Sequence, residues 1–111
     1  MISRPPDDDR EQGAFVAVSD LTVPLEGRTA LVDAFRARLG AVERAPGFQR
    51  LEVWADENEA TAFTLVAWWD SQADFVAYMR SAAHRASHDR IPTGDQAPRA
   101  RRFRRFTIVA T

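Results

Sequence analysis

Residues 61–69 read TAFTLVAWW, a near-continuous apolar run that decides what this chain can fold into. Nine residues suit a β-strand better than a helix, and a run without polar alternation is typical of a strand buried on both faces. The polar stretch DENEA at 56–60 precedes the run and predicts a turn. The rest of the chain must therefore supply partner strands and cover for both faces.

Three further strands are predicted on either side of this run. The stretch AFVAVSDLTV at 14–23 is rich in β-branched residues and stops at Pro24. The stretch FQRLEVWA at 48–55 alternates apolar and polar residues, and RRFRRFTIVA at 101–110 closes the chain. The four segments are enough for one small sheet.

Two amphipathic helices are predicted between the strands. RTALVDAFRARLGAVERA at 28–45 carries an apolar stripe at helical spacing and ends at Pro46 and Gly47. The stripe consists of Leu31, Phe35, Leu39 and Val42. SQADFVAYMRSAAHRASHD at 71–89 carries a second stripe, which begins at Phe75 and includes Tyr78 and Met79.

The order β-α-β-β-α-β predicts an α+β fold of the ferredoxin-like type, with a four-stranded antiparallel sheet and two helices on one face. The domain is expected to span residues 14–111. Residues 1–13, MISRPPDDDREQG, contain too few apolar side chains to offset the entropy of ordering and are expected to form a disordered leader.

Both faces of the predicted sheet are apolar, although two helices can cover only one of them. One parity of strands one and three carries Phe15, Ala17, Leu21, Phe63, Leu65 and Trp69. The other carries Val16, Val18, Val66 and Trp68, to which we assign Leu51, Val53, Phe106 and Ile108 from strands two and four. A bare face of this kind exceeds what a soluble monomer normally exposes. We therefore expect a homodimer that packs sheet on sheet.

The composition excludes several classes of function. The net charge of -1 over 111 residues gives no general attraction to nucleic acid or to an anionic membrane. The arginine-rich stretch 99–106 is better explained as an alternating edge strand than as an RNA-binding strip. The absence of cysteine excludes disulfides, thiolate metal sites and a cysteine nucleophile, and it leaves the redox compartment open. The chain has no apolar run of about 20 residues and no secretory signal at its start, so a cytoplasmic protein is expected.

Several short stretches together resemble the antibiotic biosynthesis monooxygenase family. They are VPLEGR at 23–28, VERAPGF at 42–48, WWDSQADFVAY at 68–78 and HDRIP at 88–92. The resemblance covers residues 14–110 and implies a dimeric α+β barrel with a pocket between each sheet and its own helices. The family includes cofactor-free oxygenases of polyphenolic substrates and haem-degrading oxygenases.

The two histidines, His84 and His88, carry most of the functional content of the sequence. In the haem-degrading branch, an aromatic residue is followed three positions on by serine and ten positions on by the histidine that binds iron. Tyr78, Ser81 and His88 stand at those offsets. Ser19 stands on the first strand where that branch has an asparagine that faces the haem, so the resemblance to it is partial.

Helical geometry offers two interpretations of these histidines. On one straight helix both would face solvent, roughly opposite Phe75 at about 100° per residue. If Ser81 ends one helix and caps the next, His84 and His88 turn toward the pocket instead. Two histidines without a clear carboxylate third ligand predict no metal site.

Three hypotheses follow. The first is a homodimeric monooxygenase that acts on a flat hydrophobic or aromatic substrate without a dedicated cofactor. Its catalytic candidates are Ser19, Trp69, Tyr78 and His88, with His84 as second choice, and its pocket candidates are Phe15, Leu21 and Phe75. The second is a haem-degrading monooxygenase with His88, or else His84, binding the haem. The third is a non-catalytic dimeric barrel that binds a small hydrophobic ligand.

Overall fold

The computed structural model describes residues 15–37, 42–89 and 91–111. The predicted leader at 1–13 and the positions Leu39 and Gly40 of the first predicted helix lie outside these ranges. The strands and helices are β1 (Phe15–Thr22), α1 (Arg28–Arg36), β2 (Phe48–Ala55), β3 (Ala62–Trp69), α2 (Gln72–Met79), α3 (Ala82–His88) and β4 (Arg99–Thr107). Short 3₁₀ turns occupy Leu25–Gly27, Val42–Arg44 and Gly94–Gln96.

The four strands form one antiparallel sheet in the order β2-β3-β1-β4. The long apolar run at 61–69 supplies β3, which lies inside the sheet beside β1. This order places the first and third strands at the centre, as the ferredoxin-like arrangement requires. The predicted fold class is therefore confirmed.

The strand register assigns each side chain to one of two faces. Phe15 lies opposite Trp69 and Ser19 opposite Leu65, so these residues share the face that the helices cover. Val16 lies opposite Trp68 on the other face, which we call the open face.

The assignment of Leu51 and Val53 to the open face is wrong. Leu51 pairs with Ala67 and Val53 with Leu65, both of which point toward the helices. The register of β2 shifts between Phe48 and Arg50, and a shift of one residue moves every later side chain to the other face.

The core lies between the sheet and the helices in two clusters. One contains the buried residues Phe15, Ala17, Val42 and Trp69, and the other contains Val23, Leu31 and Phe63. The apolar stripe of α1 faces the sheet, and Leu31 in this stripe is therefore fully buried. A smaller cluster of Val16, Val18 and Val66 lies on the open face with Trp68 and Ile108 packed against it.

The helices are shorter than predicted. α1 ends at Arg36, and the chain continues after the undescribed residues 38–41 as the 3₁₀ turn at Val42–Arg44. The segment 71–89 forms two helices, because α2 ends at Met79 and α3 starts at Ala82. None of the helices in the described ranges is long and apolar enough to cross a membrane.

Candidate functional site

A cavity of about 260 Å³ lies between the sheet and the helices, and we call it the chamber. The sheet contributes Ala17, Ser19, Leu51, Leu65, Ala67, Trp69 and Phe103. The helices and connections contribute Ala34, Phe35, Val42, Phe75, Tyr78, Met79, His84, His88 and Ile91. Most of these side chains are apolar, and the polar groups of the wall come from Ser19, Trp69, Tyr78 and the two histidines.

The break at Ser81 brings the histidines to the chamber. Ser81 Oγ accepts a hydrogen bond from the backbone N–H of His84 at 3.1 Å and donates one to the carbonyl oxygen of Tyr78 at 2.6 Å. The first bond caps the new helix α3, and the second ties the cap to the end of α2. α3 therefore takes a new direction, and both of its histidines line the chamber. Of the two interpretations of 71–89, the structure therefore has the one in which the helix breaks at Ser81.

Four rings form a continuous path from the core to the surface. The ring centroids of Trp69 and Tyr78 are 5.5 Å apart, those of Tyr78 and His84 are 5.2 Å apart, and those of His84 and His88 are 6.0 Å apart. Trp69 is 2% exposed, His84 is half-buried and His88 is exposed. The path therefore connects a buried aromatic wall to solvent through two imidazoles.

The environment of His84 keeps its imidazole neutral. Burial is the main cause that lowers the pKa of His84 below its usual 6.5, and the neighbouring His88 lowers it further. A neutral imidazole has one ring nitrogen that accepts a proton. His84 is therefore suited to take a proton from a ligand in the chamber at neutral pH.

The wall also contains a hydrogen-bond donor that lacks a partner. The indole Nε1 of Trp69 is buried and has no acceptor among the described residues. A buried polar atom of this kind costs free energy unless something pairs with it. An oxygen atom of a bound ligand would satisfy it.

The structure brings together most of the predicted site residues. Ser19, Trp69, Phe75, Tyr78, His84 and His88 all line the chamber. Phe15 and Leu21 do not. Phe15 is 4% exposed and covered by the ring of Phe75, with centroids 5.3 Å apart, while Leu21 packs further along β1 against the cluster around Leu31.

Sequence reasoning missed Phe103 and Ile91. Phe103 lies opposite Ser19 on β4 and stacks on Phe75 with ring centroids 5.9 Å apart. Its membership of the covered face depends on the β1–β4 register. Ile91 follows α3 and packs against the second core cluster, and only the position of that helix brings it to the chamber.

The side chains of the chamber include ligands suitable for haem iron, but the volume of the chamber is small for a porphyrin. His84 and His88 provide imidazole ligands, and no group of three His, Cys, Asp or Glu side chains in the described ranges is arranged to hold a bare metal ion. The chamber is smaller than the roughly 300–1,000 Å³ of pockets for drug-sized ligands. A porphyrin would require the chamber to widen.

Comparison with known proteins now identifies the family. The family model described as "Antibiotic biosynthesis monooxygenase" matches residues 14–90. The chain belongs to this family. The resemblance noted in the sequence is thereby confirmed.

Two curated relatives are similar in sequence, and both are named heme oxygenase (staphylobilin-producing). The protein of Staphylococcus saprophyticus is 35% identical over 52 residues, which are 45% of this chain and 50% of the relative. The protein of Staphylococcus haemolyticus is 28% identical over 76 residues, which are 67% of this chain and 72% of the relative. The chain thus spans about half the length of the first relative.

Solved structures of both functional types share the fold. SnoaB of Streptomyces nogalater, a cofactor-independent oxygenase, superposes with a TM-score of 0.72 at 16% identity, covering 89% of this chain and 96% of SnoaB. MhuD of Mycobacterium tuberculosis, a heme-degrader with two hemes bound in its active site, superposes with a TM-score of 0.70 at 25% identity. The latter match covers 87% of this chain and 97% of MhuD.

Proposed function

We propose that this protein is a homodimeric monooxygenase that oxidises a flat hydrophobic or aromatic substrate with O₂ in the chamber, without a dedicated cofactor. The observation that carries the proposal is the contact of Tyr78 with a neutral, half-buried His84 in an otherwise apolar wall. The similarity to a cofactor-independent oxygenase supports the fold of such an enzyme.

The reaction requires a base, hydrogen-bond donors for the substrate oxygen, and a site that excludes water. His84 accepts the proton of a phenolic hydroxyl, and the resulting phenolate is electron-rich enough to react with O₂. A ring CH₂ then becomes a carbonyl, and the second oxygen atom leaves as water. The Tyr78 hydroxyl and the unpaired Trp69 indole N–H donate hydrogen bonds that hold the substrate oxygen in place.

His88 connects this reaction to solvent. Its ring lies 6.0 Å from that of His84 and is exposed, so it can pass the abstracted proton to water. Ser19, on the sheet side of the chamber, offers a second polar group to the substrate. The apolar walls exclude water from the reacting atoms.

The open face supports the homodimer. Trp54 is 49% exposed and Phe106 is 46% exposed, and the second of these lies beside Val16 of the open-face cluster. A second copy packed against this face would bury both rings. The stabilisation gained would be proportional to the apolar surface area that is removed from water.

Oxygen consumption with an anthrone and hydroquinone panel tests the proposal. We expect His84→Gln to lower turnover by about 10²- to 10⁴-fold, the usual contribution of a general base. His88→Gln should cause a smaller loss, because water can replace a surface proton carrier. Arg85→Gln, on the same helix, is the matched control and should keep full turnover. Binding without oxygen consumption would contradict the proposal and favour a non-catalytic ligand-binding barrel.

A haem-degrading monooxygenase is the second candidate, favoured by the sequence similarity to the two heme oxygenases and by the pair of imidazoles. In that case His88 would hold the iron through Nε2, and the haem would supply both the O₂-activating iron and the porphyrin that is opened. Titration with haemin tests this candidate. A Soret band that disappears in His88→Ala and survives in Arg85→Gln would replace the first proposal with the second.

A further inference from the structure

A second cavity lies next to the chamber and has a different chemistry. It is an open groove of about 590 Å³ between α1 and strands β2 and β3, and we call it the arginine groove. Its walls are formed by Arg28, Val32, Phe35, Arg36, Glu43, Val53, Ala55 and Phe63. Phe35 also lines the chamber, so the two cavities share this wall residue.

The spacing along α1 places a cation at each end of the groove. Arg28, Val32 and Arg36 are four residues apart and therefore share one face of the helix. The two arginine Cα atoms are separated by about 12 Å along the helix axis, at about 1.5 Å per residue. Arg36 follows Phe35, the residue that both cavities share, directly in the chain.

Arg28 is held in position by its neighbours. Its Nε donates to the carbonyl oxygen of Ala60 at 2.7 Å, and its guanidinium carbon lies 5.2 Å from the ring centroid of Phe63. The bond to Ala60 uses one of the five N–H donors of the guanidinium. Glu43 is the acidic side chain of the wall, so two cations face one anion in the groove.

We infer that the arginine groove is a subsite for an anionic group of the substrate, and that the substrates of this protein are flat aromatic acids. The inference rests on the proposed function, because the aromatic part must occupy the chamber. The chamber offers imidazoles and apolar walls, whereas the groove offers two guanidiniums, whose fork of N–H donors matches a carboxylate. A carboxylate that passes the edge of Phe35 enters the groove, where a guanidinium donates paired hydrogen bonds to it. Arg28 already donates to Ala60, so Arg36 is assigned as the principal donor.

Two ligands that differ by one carboxylate test the inference. Calorimetric titration at neutral pH compares 2-naphthol with 6-hydroxy-2-naphthoic acid, which places the hydroxyl in the chamber and the carboxylate toward the groove. We expect the acid to bind roughly tenfold more tightly or better, as for a hydrogen bond to a charged group. Arg36→Gln should abolish this difference and leave the affinity for 2-naphthol unchanged. Arg28→Gln should reduce it less.

Arg99→Gln is the charge-matched control, since Arg99 is exposed on β4 and lines a different surface groove. It should keep the full preference for the acid. Equal affinities of the two ligands for the wild-type protein would overturn the inference and leave the proposed function standing. A preference that survives in Arg36→Gln and Arg28→Gln would overturn the assignment to this groove. If neither ligand binds, the proposed function and the inference both fail.

Discussion

The covered face and the open face of the sheet are built from the same strands, yet they have opposite properties. Trp69 on the covered face is 2% exposed and touches the rings of Phe48, Phe75 and Tyr78. Trp68, the preceding residue, lies on the open face, where the guanidinium of Arg50 is 5.0 Å from its ring centroid. Alternation along one strand thus separates a site for a small molecule from a surface for association.

Each face also keeps one buried hydrogen-bond donor without a partner among the described residues. On the open face Thr64 donates to Asp20 at 2.8 Å, and Arg104 lies 3.4 Å from the same carboxylate. On the covered face the indole N–H of Trp69 has no partner among the described residues. The Nε of Arg104 on the open face is likewise buried without a partner among the described residues. Of these two donors, Trp69 is the one that lines the chamber, where a ligand could pair with it.

The largest expected effect separates the two neighbouring tryptophans. Trp69→Ala should lower the free energy of unfolding by about 3–5 kcal/mol, because it empties the centre of the aromatic core. Trp68→Ala should cost clearly less in the single chain, since its ring is only half-buried. Urea denaturation of both variants measures the difference. Equal losses would show that the two faces are equally important for folding.

The second prediction concerns association. Phe106 is 46% exposed on the open face and stacks with Arg104, so Phe106→Asp should lower the stability of the single chain by about 1 kcal/mol. In a sheet-on-sheet dimer the same change leaves an unpaired charge in the interface, at a cost of about 2 kcal/mol or more. Light scattering across a dilution series should therefore show dissociation at roughly 30-fold higher concentration than for the wild type.

Asp89→Asn, on the covered side of the molecule beyond α3, is the control for this experiment. It also alters one charge but lies off the open face, and it should leave the mass unchanged. A wild-type protein that stays monomeric at all concentrations would contradict the homodimer. A Phe106→Asp variant that stays dimeric would place the interface elsewhere.

Local sequence signals were sufficient for the strands, and they offered the break in the second helix as one of two interpretations. The apolar run of β3 and the alternation of β2 predict their positions to within a residue, because these patterns follow from the two-residue period of a strand. Ser81 signals the break, because serine offers the hydroxyl that a new helix needs for its first N–H groups.

Features that depend on long-range pairing were not predictable in the same way. The faces of Leu51 and Val53 depend on the register shift near Arg50, and the place of Phe103 in the chamber depends on pairing with Ser19. Leu21 has the right parity for the chamber but lies too far along β1 to reach it. The sequence therefore indicates the chemical groups of the site better than it indicates which of them meet.

The third prediction uses two serine caps on the covered face. Ser71 Oγ accepts from the backbone N–H of Asp74 at 3.1 Å, as Ser81 Oγ does from that of His84. Ser71→Ala and Ser81→Ala should each cost about 1 kcal/mol of unfolding free energy. Only Ser81→Ala should shift the imidazole NMR signal of His84 and lower oxygen consumption, because only that cap orients α3. Identical behaviour of the two variants would contradict the role given to the break.

The smallest expected effect concerns the pH dependence of stability. A group on each face should contribute to the unfolding free energy over a different pH window. The folded state holds the pKa of His84 below 6.5, so the unfolded chain takes up a proton first as the pH falls. Stability linked to His84 is therefore complete above about pH 6.5 and is lost as the pH falls toward the folded-state pKa. On the open face, hydrogen bonds from Trp54 and then Arg50 lower the pKa of Glu52 below 4.5. The stability that Glu52 contributes is complete above about pH 4.5 and is lost only as the pH falls below that value.

Urea midpoints measured from about pH 7.5 down to about pH 3.5 should resolve the two windows. His84→Gln should flatten the curve in the upper window and leave the lower one intact, whereas Glu52→Gln should do the reverse. His88→Gln should reduce the upper slope only partly, since burial outweighs His88 among the causes that lower the pKa of His84. An upper window that is unchanged in His84→Gln would mean that the His84 imidazole is as well solvated in the folded protein as in the unfolded chain. The neutral base on which the proposed chemistry depends would then be missing.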